Sequence, residues 1–265
     1  MSAMKQRFGL VALATTGVLL AGCRSTPSDL AAASAEGPAA VASSSQTTCA
    51  VPTGLAGQDV ARLPVTDKVI ALTFDAGANA DGVRSIRETL IDMKVKATFF
   101  LTGSFVQHYP VRSARIAARD VVGNHTITHP DLTTLSDAQV TAEVQGAEAT
   151  IRTTTGQDPR RFFRFPYGAR NAHLVQVLNG LCYVPFRWTV DSLGWEGTSG
   201  GQTEAKVVAR VVGAAQPGAI VLMHVGSNPD DGTTLDAAAL PHIVTHLRAL
   251  GYHFVRLARV MSAAP

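Results

Sequence analysis

Six side chains of this 265-residue chain are of types that could do chemistry together: Asp75, His125, His129, Arg164, Asp191 and His224. The segment His125-Thr126-Ile127-Thr128-His129 spaces two imidazoles four apart. If it forms one helical turn, both rings point the same way and two nitrogens can meet one metal ion. Its second position is Thr126, so this is not the zinc-protease pattern in which a glutamate between the histidines is the base. A base must come from elsewhere, and Asp75 is the candidate, because a carboxylate near a metal can take a proton from bound water. Arg164 could pair with Asp75 and hold it ionised. His224 titrates near neutrality and could protonate a leaving amine. Trp195 could wall a sugar face. Each has a plainer reading: a loop-capping Asp75, a satisfied buried His224, a Trp195 in the core, and surface or capping histidines at 125 and 129. His242 and His246 share the four-residue spacing but lie beside Ile243, Leu247 and Leu250 in an outer-helix pattern, and we read them as structural.

The elements that must position these residues alternate along the chain. Apolar, β-rich runs predict strands at Val69–Phe74, Ala97–Leu101, Val121–Gly123, Phe162–Phe165, Val184–Val190, Ala219–Met223 and Phe254–Leu257. Helical spacing covers Gly82–Met93, Val111–Arg119, Asp137–Thr153, Ala172–Leu178, Glu204–Ala215 and Asp236–Leu250. Ser136 with Gln139 forms a capping box, and Thr203 is an N-cap. Near-continuous apolar strands alternating with amphipathic helices predict an α/β fold with a parallel sheet, either an open doubly wound sheet or a small β/α barrel. Asp75, His125, Arg164, Asp191 and His224 each follow or close a strand, where sites of parallel α/β folds form.

The remainder of the chain sets the compartment. Lys5 and Arg7 precede an apolar run from Phe8 to Leu20, followed by Ala21-Gly22-Cys23. This reads as a secretory signal whose Leu-Ala-Gly-Cys ending resembles a bacterial lipobox, with Cys23 lipidated. Residues 24–62 are read as a flexible Ala/Ser-rich tether and residues 63–265 as the folded domain. Cys49 and Cys182 would then be the pair free to form a disulfide in an exported domain, which spacing does not decide. With 46% hydrophobic and 16% charged residues the chain is neither disordered nor a coiled-coil array. A net charge of +3 without a dense basic stripe argues against nucleic acid as a partner.

At these residues the chain resembles the polysaccharide deacetylase (NodB-homology) carbohydrate esterases, from about Leu63 to Leu257. Five motifs occur in family order: Thr73-Phe74-Asp75-Ala76-Gly77, His125-Thr126-Ile127-Thr128-His129, Arg164-Phe165-Pro166-Tyr167, Asp191-Ser192-Leu193-Gly194-Trp195 and Leu222-Met223-His224. The resemblance implies a distorted (β/α) barrel of about seven parallel strands and one divalent metal, zinc, with cobalt or nickel following in affinity. It implies Asp75 as base, His125 and His129 as metal ligands, Arg164 orienting Asp75, the Tyr167 backbone N–H at the oxyanion, Trp195 lining the groove and His224 as acid. Two positions depart from the pattern. Ala76 stands where the family has a metal-binding aspartate, leaving water, Asn79, Asp81 or Asp75 itself to serve. Gly194 stands where an acid supports the arginine, a role Asp191 could assume.

The function expected is removal of N- or O-acetyl groups from peptidoglycan, a chitin-like glycan or xylan. The enzyme would be a monomer outside the cytoplasmic membrane, touching the membrane through its lipid alone. The other reading is a non-catalytic glycan- or metal-binding lipoprotein on a decayed esterase scaffold.

Overall fold

The computed structural model describes residues 51–259, so the expected signal segment, Cys23, Cys49 and most of the expected tether lie outside the described residues. No described helix is long and apolar enough to cross a membrane.

Eight strands form one parallel sheet: β1 (Val69–Ala76), β2 (Thr98–Leu101), β3 (Val121–Asn124), β4 (Arg161–Phe163), β5 (Tyr183–Pro185), β6 (Val190–Asp191), β7 (Ala219–His224) and β8 (His253–Phe254). The order is β5-β4-β3-β2-β1-β7-β6, with β8 beside the start of β1. Seven helices alternate with them: α1 (Val83–Asp92), α2 (Gly103–His108), α3 (Pro110–Ala117), α4 (Asp137–Thr155), α5 (Ala172–Gly180), α6 (Glu204–Gly213) and α7 (Leu235–Ala249). This is the distorted β/α barrel that the motifs imply.

The central strand shows how the sequence makes the layers. β1 is buried along its whole length. Its alternate residues Ile70, Leu72, Phe74 and Ala76 belong to the apolar layer beneath the helices, with Ile86, Leu90, Val207, Leu240 and Val244. Ala71 belongs instead to the inner cluster with Phe100, Phe162, Val184, Phe186 and Ile220. Thr73 and Asp75 share the inward parity of Ala71, because side chains alternate along a strand. Burying this much apolar surface at about 25 cal/mol per Å2 supplies the rigidity on which the strand ends depend.

Two expectations change. The run Val184–Val190 is two strands, not one, and they lie at opposite ends of the sheet order. Phe186 N–H still bonds Phe163 O beyond Pro185, and the chain then crosses the seam left between β5 and β6. Residues 51–62, expected as part of the tether, pack on the barrel instead. Leu55 and Val60 are buried with Phe186 and Ile220 in the inner cluster. Val60 bridges Phe186 and Arg62 bridges Ala219, so this segment spans the seam. The caps follow the sequence: Ser136 N–H and Oγ–H donate to Gln139 Oε1, and Thr203 Oγ1 accepts from Lys206 N–H. Cys182 is disulfide-bonded.

Candidate active site

Asp75 and Arg164 meet inside the barrel mouth. Arg164 Nη1 donates to Asp75 Oδ1 at 2.7 Å. The arginine is 1% exposed, with its guanidinium carbon 4.2 Å from the Phe100 ring centroid and 5.7 Å from that of Trp188. Its other donors reach backbone: Nε to Phe186 O at 3.0 Å and Nη2 to Arg187 O at 3.1 Å. The guanidinium is thus held by three acceptors, none of them Asp191. Asp191 accepts from Leu193 N–H and from Trp195 Nε1 at 3.4 Å, so it orients the turn that carries the tryptophan. Burial alone would raise the Asp75 carboxyl, but Arg164 and the nearby imidazoles hold it below its ordinary value.

The two histidines after β3 do not lie on a helical turn. Thr126 and His129 both adopt left-handed backbone, with φ of 69° and 63°, which non-glycine residues rarely do. The loop is pinned from several sides. Asn124 Oδ1 accepts from Thr126 N–H and Thr126 Oγ1 from His129 N–H. Glu143, on α4, accepts from Ile127 N–H, Thr128 N–H and Thr128 Oγ1. The result is still convergent: His125 Nε2 and His129 Nε2 are 3.1 Å apart, and Asp75 Oδ2 lies 3.5 Å from His125 Nε2. The Arg164 carbonyl can only accept, so at 2.8 Å it fixes the proton of neutral His125 on Nδ1 and leaves a lone pair on Nε2. Burial lowers the pKa of both rings, that of His129 to about 4, so both are neutral at physiological pH.

Those two nitrogens fit a divalent cation. Ligands at about 2.05 Å in tetrahedral array are about 3.3 Å apart, close to the separation here. Among the described residues no group of three His, Cys, Asp or Glu forms a complete metal cage. Ala76 is wholly buried in the helix-facing apolar layer. Neither candidate substitute turns inward. Asn79 Oδ1 accepts from Ser227 N–H and Asp81 Oδ2 from Ser227 Oγ, tying the loop after β1 to the loop after β7. Asp81 does not cap α1, whose N-cap Gly82 has no side-chain bond.

His224 ends β7, opposite Asp75 in the β1–β7 register. Burial lowers its pKa, but Asp236, Asp75 and Asp191 outweigh that and raise it above the ordinary histidine value. Two aromatic side chains stand out at the rim: Tyr167 is 72% exposed and stacks edge-on over His129, and Trp195 is 48% exposed beside His224. Tyr167 has φ 58°, a left-handed conformation within a tight turn. His242 and His246 lie on α7, where His242 meets Glu204 and His246 bonds the His242 carbonyl, as a structural pair should. The residues that sequence reasoning missed are Asn124, Glu143 and Asp236. Asn124 was the legible one, as a polar residue closing a strand immediately before the histidines.

A cavity of about 810 Å3 opens elsewhere, near the starts of β4 and β5. Its Arg152, Arg160, Glu148 and Asp158 pair with one another, and it holds none of the groups above.

A buried Asp–Arg pair, converging neutral imidazoles and exposed aromatic rings on strand ends make the layout of a hydrolytic site open to a sugar chain. Residues 62–185 match the family model for polysaccharide deacetylases. A chitooligosaccharide deacetylase of Azorhizobium caulinodans is 30% identical over 201 residues, 72% of this chain and 94% of that one. A peptidoglycan-N-acetylglucosamine deacetylase of Bacillus cereus is 30% identical over 195 residues, 73% of this chain and 68% of that one. A CE4 family pseudoenzyme from Bacillus anthracis superimposes with a TM-score of 0.71 at 28% identity, covering 78% of this chain and 70% of that one. A mutant of that pseudoenzyme is described as having restored enzymatic activity. The chain belongs to the polysaccharide deacetylase family.

Proposed function

We propose that this protein is a metal-dependent hydrolase that removes N- or O-acetyl groups from an envelope polysaccharide, with peptidoglycan, chitin-like glycan and xylan as the candidate classes, and that lipid on Cys23 anchors it there. The observation that carries the reading is the Asp75–Arg164 pair with His125 beside its free oxygen. A divalent cation held by His125 and His129, zinc or a neighbour such as cobalt or nickel, would polarise the acetyl carbonyl and activate a water. Arg164 occupies Asp75 Oδ1, so Oδ2 is the oxygen that takes the proton of the attacking water. The Tyr167 N–H donates to the oxyanion as charge builds on the carbonyl oxygen. His224, whose pKa its carboxylate neighbours raise, gives its proton to the departing sugar nitrogen or oxygen. Tyr167 and Trp195 offer apolar faces to sugar rings.

Ala76 favours a second reading, a glycan- or metal-binding protein without catalysis. Against it, base, arginine, both histidines and acid are all present and in mutual reach. Zinc titration of stripped protein separates the two. One tight equivalent, lost in His129→Ala, with acetate released from at least one of peptidoglycan, chitin oligomer or acetylxylan, is the expected result. Zinc-loaded protein that binds glycan while its acetate release is unchanged by His224→Ala would sink the catalytic reading.

A further inference from the structure

Asp236 is the second residue of α7, is 3% exposed and takes no part in the chemistry described above. Its Oδ2 accepts the backbone N–H of His224 at 2.7 Å and lies 3.7 Å from Nδ1 of the same histidine. His224 Nδ1 and Asp236 Oδ1 are both buried and both without a hydrogen-bond partner. A buried ring nitrogen and a buried carboxylate oxygen on neighbouring side chains are each costly to leave unpaired, and the nearer oxygen, Oδ2, is the one 3.7 Å from Nδ1. At 3.7 Å they are beyond hydrogen-bond reach, but catalytic pairs are often long without substrate and tighten in the complex.

The space around the carboxylate explains Gly194. A Cβ at position 194 would lie 2.6 Å from Asp236 Cγ and nearer still to Oδ1. Gly194 is not among the glycines with left-handed φ, so its backbone would accept a side chain. What excludes one is Asp236. The glycine in the turn and the acid on α7 are therefore one feature: the room for a side chain beside His224 is filled from the helix.

We propose that Asp236 is a positioning residue for His224, accepting its Nδ1–H so that Nε2 is the nitrogen that exchanges a proton with the leaving group. This rests on His224 being the acid of the proposed reaction. Other charged or titratable groups around His224 are Asp75 on β1, Asp191 on β6 and the histidines after β3. Asp236 differs from them in also bonding the histidine's backbone, so it fixes ring and main chain together.

The test combines ring spectroscopy with relocation of the carboxylate. In 15N NMR of wild-type protein at a pH where the ring is neutral, His224 should show the Nδ1–H tautomer. In Asp236→Asn, which keeps the shape, that preference should be lost. With peptidoglycan or chitin oligomer, Asp236→Asn should lower kcat about 10- to 100-fold while KM stays within about twofold. Asp236→Ala should lose as much or more, and adding Gly194→Asp, relieved of the carboxylate clash and left with the backbone nitrogen of residue 236 at 3.0 Å to give way slightly, should recover about tenfold. If wild type releases no acetate, the activity reading fails while the tautomer measurement still decides the role of Asp236. An unchanged tautomer in Asp236→Asn, or a double variant as slow as Asp236→Ala with wild-type kcat in Asp236→Asn, would overturn the proposal.

Discussion

Replacing Glu143 by Ala removes one carboxylate and three hydrogen bonds from the loop that carries both histidines. The loop needs them because Thr126 and His129 sit in left-handed backbone. Each such residue costs about 1–2 kcal/mol, so the segment stores about 2–4 kcal/mol against the extended or helical alternatives. Hydrogen bonds to a charged acceptor contribute about 1.5–3 kcal/mol each, less where solvent reaches them, as at Thr128. With the two exposed Thr128 bonds discounted, the three together at least match that strain, and the clamp is what tips the balance. Glu143→Ala should therefore lose about 2–3 kcal/mol of stability, a fall in Tm of about 5–10 °C for a domain of this size. Zinc affinity should drop about 10- to 100-fold, because the Nε2 atoms no longer converge. Glu143→Gln, keeping one acceptor oxygen, should lie between. Calorimetry, zinc titration and hydrogen exchange at the Ile127 and Thr128 amides read the three effects. A variant with wild-type Tm and unchanged protection of those two amides would refute the reasoning, since nothing else bonds them as Glu143 does.

Two further outcomes follow from the charges. Arg164→Ala should abolish most of the rate while zinc binding persists, because the arginine touches Asp75 Oδ1 and not the two Nε2 atoms; equal loss of zinc would make Arg164 structural. Its stability cost should be about 3–5 kcal/mol, the usual penalty for leaving one partner of a buried pair alone. In chelator, thermal stability should fall as pH drops from 6.5 toward 4. Burial, then His125, lowers the His129 pKa to about 4, so across that window the unfolded chain binds a proton that the folded one refuses. A melting temperature that does not change between those limits, or a slope unaltered in His129→Gln, would contradict this. Asp75 extends the loss to lower pH, since its folded pKa is also depressed. His224 acts oppositely: its contribution is present below 6.5 and disappears as pH rises through its raised value.

The strand ends were legible because burial writes itself into sequence. β1 is apolar on both faces, so Val69–Phe74 stands out and Asp75 marks where it ends. The helix caps at Ser136 and Thr203 were legible for the same local reason. What sequence could not supply was anything depending on chain segments distant from one another. The spacing of His125 and His129 suggested a helical turn, yet they converge through a loop whose geometry is set by Glu143, fourteen residues beyond the second histidine. The seam between β5 and β6 was invisible, because Val184–Val190 is apolar on both sides of the break. Asp236 looked like the ordinary acidic start of a helix, which it also is.

The segment before Leu63 carries a mechanical consequence. Val60 N–H donates to Pro185 O and Arg187 N–H donates to Val60 O, so an extended stretch of chain splints the segment after β5 from which Phe186 O and Arg187 O grip the Arg164 guanidinium. Tension applied upstream of Val60 loads those bonds before it reaches any other part of the site. A version of the protein cut at Leu63, the boundary that composition suggests, would keep every side chain proposed for the chemistry and lose the brace behind Arg164. The smallest unit able to hold its arginine still begins upstream of Leu55, whose side chain anchors the splint in the inner core.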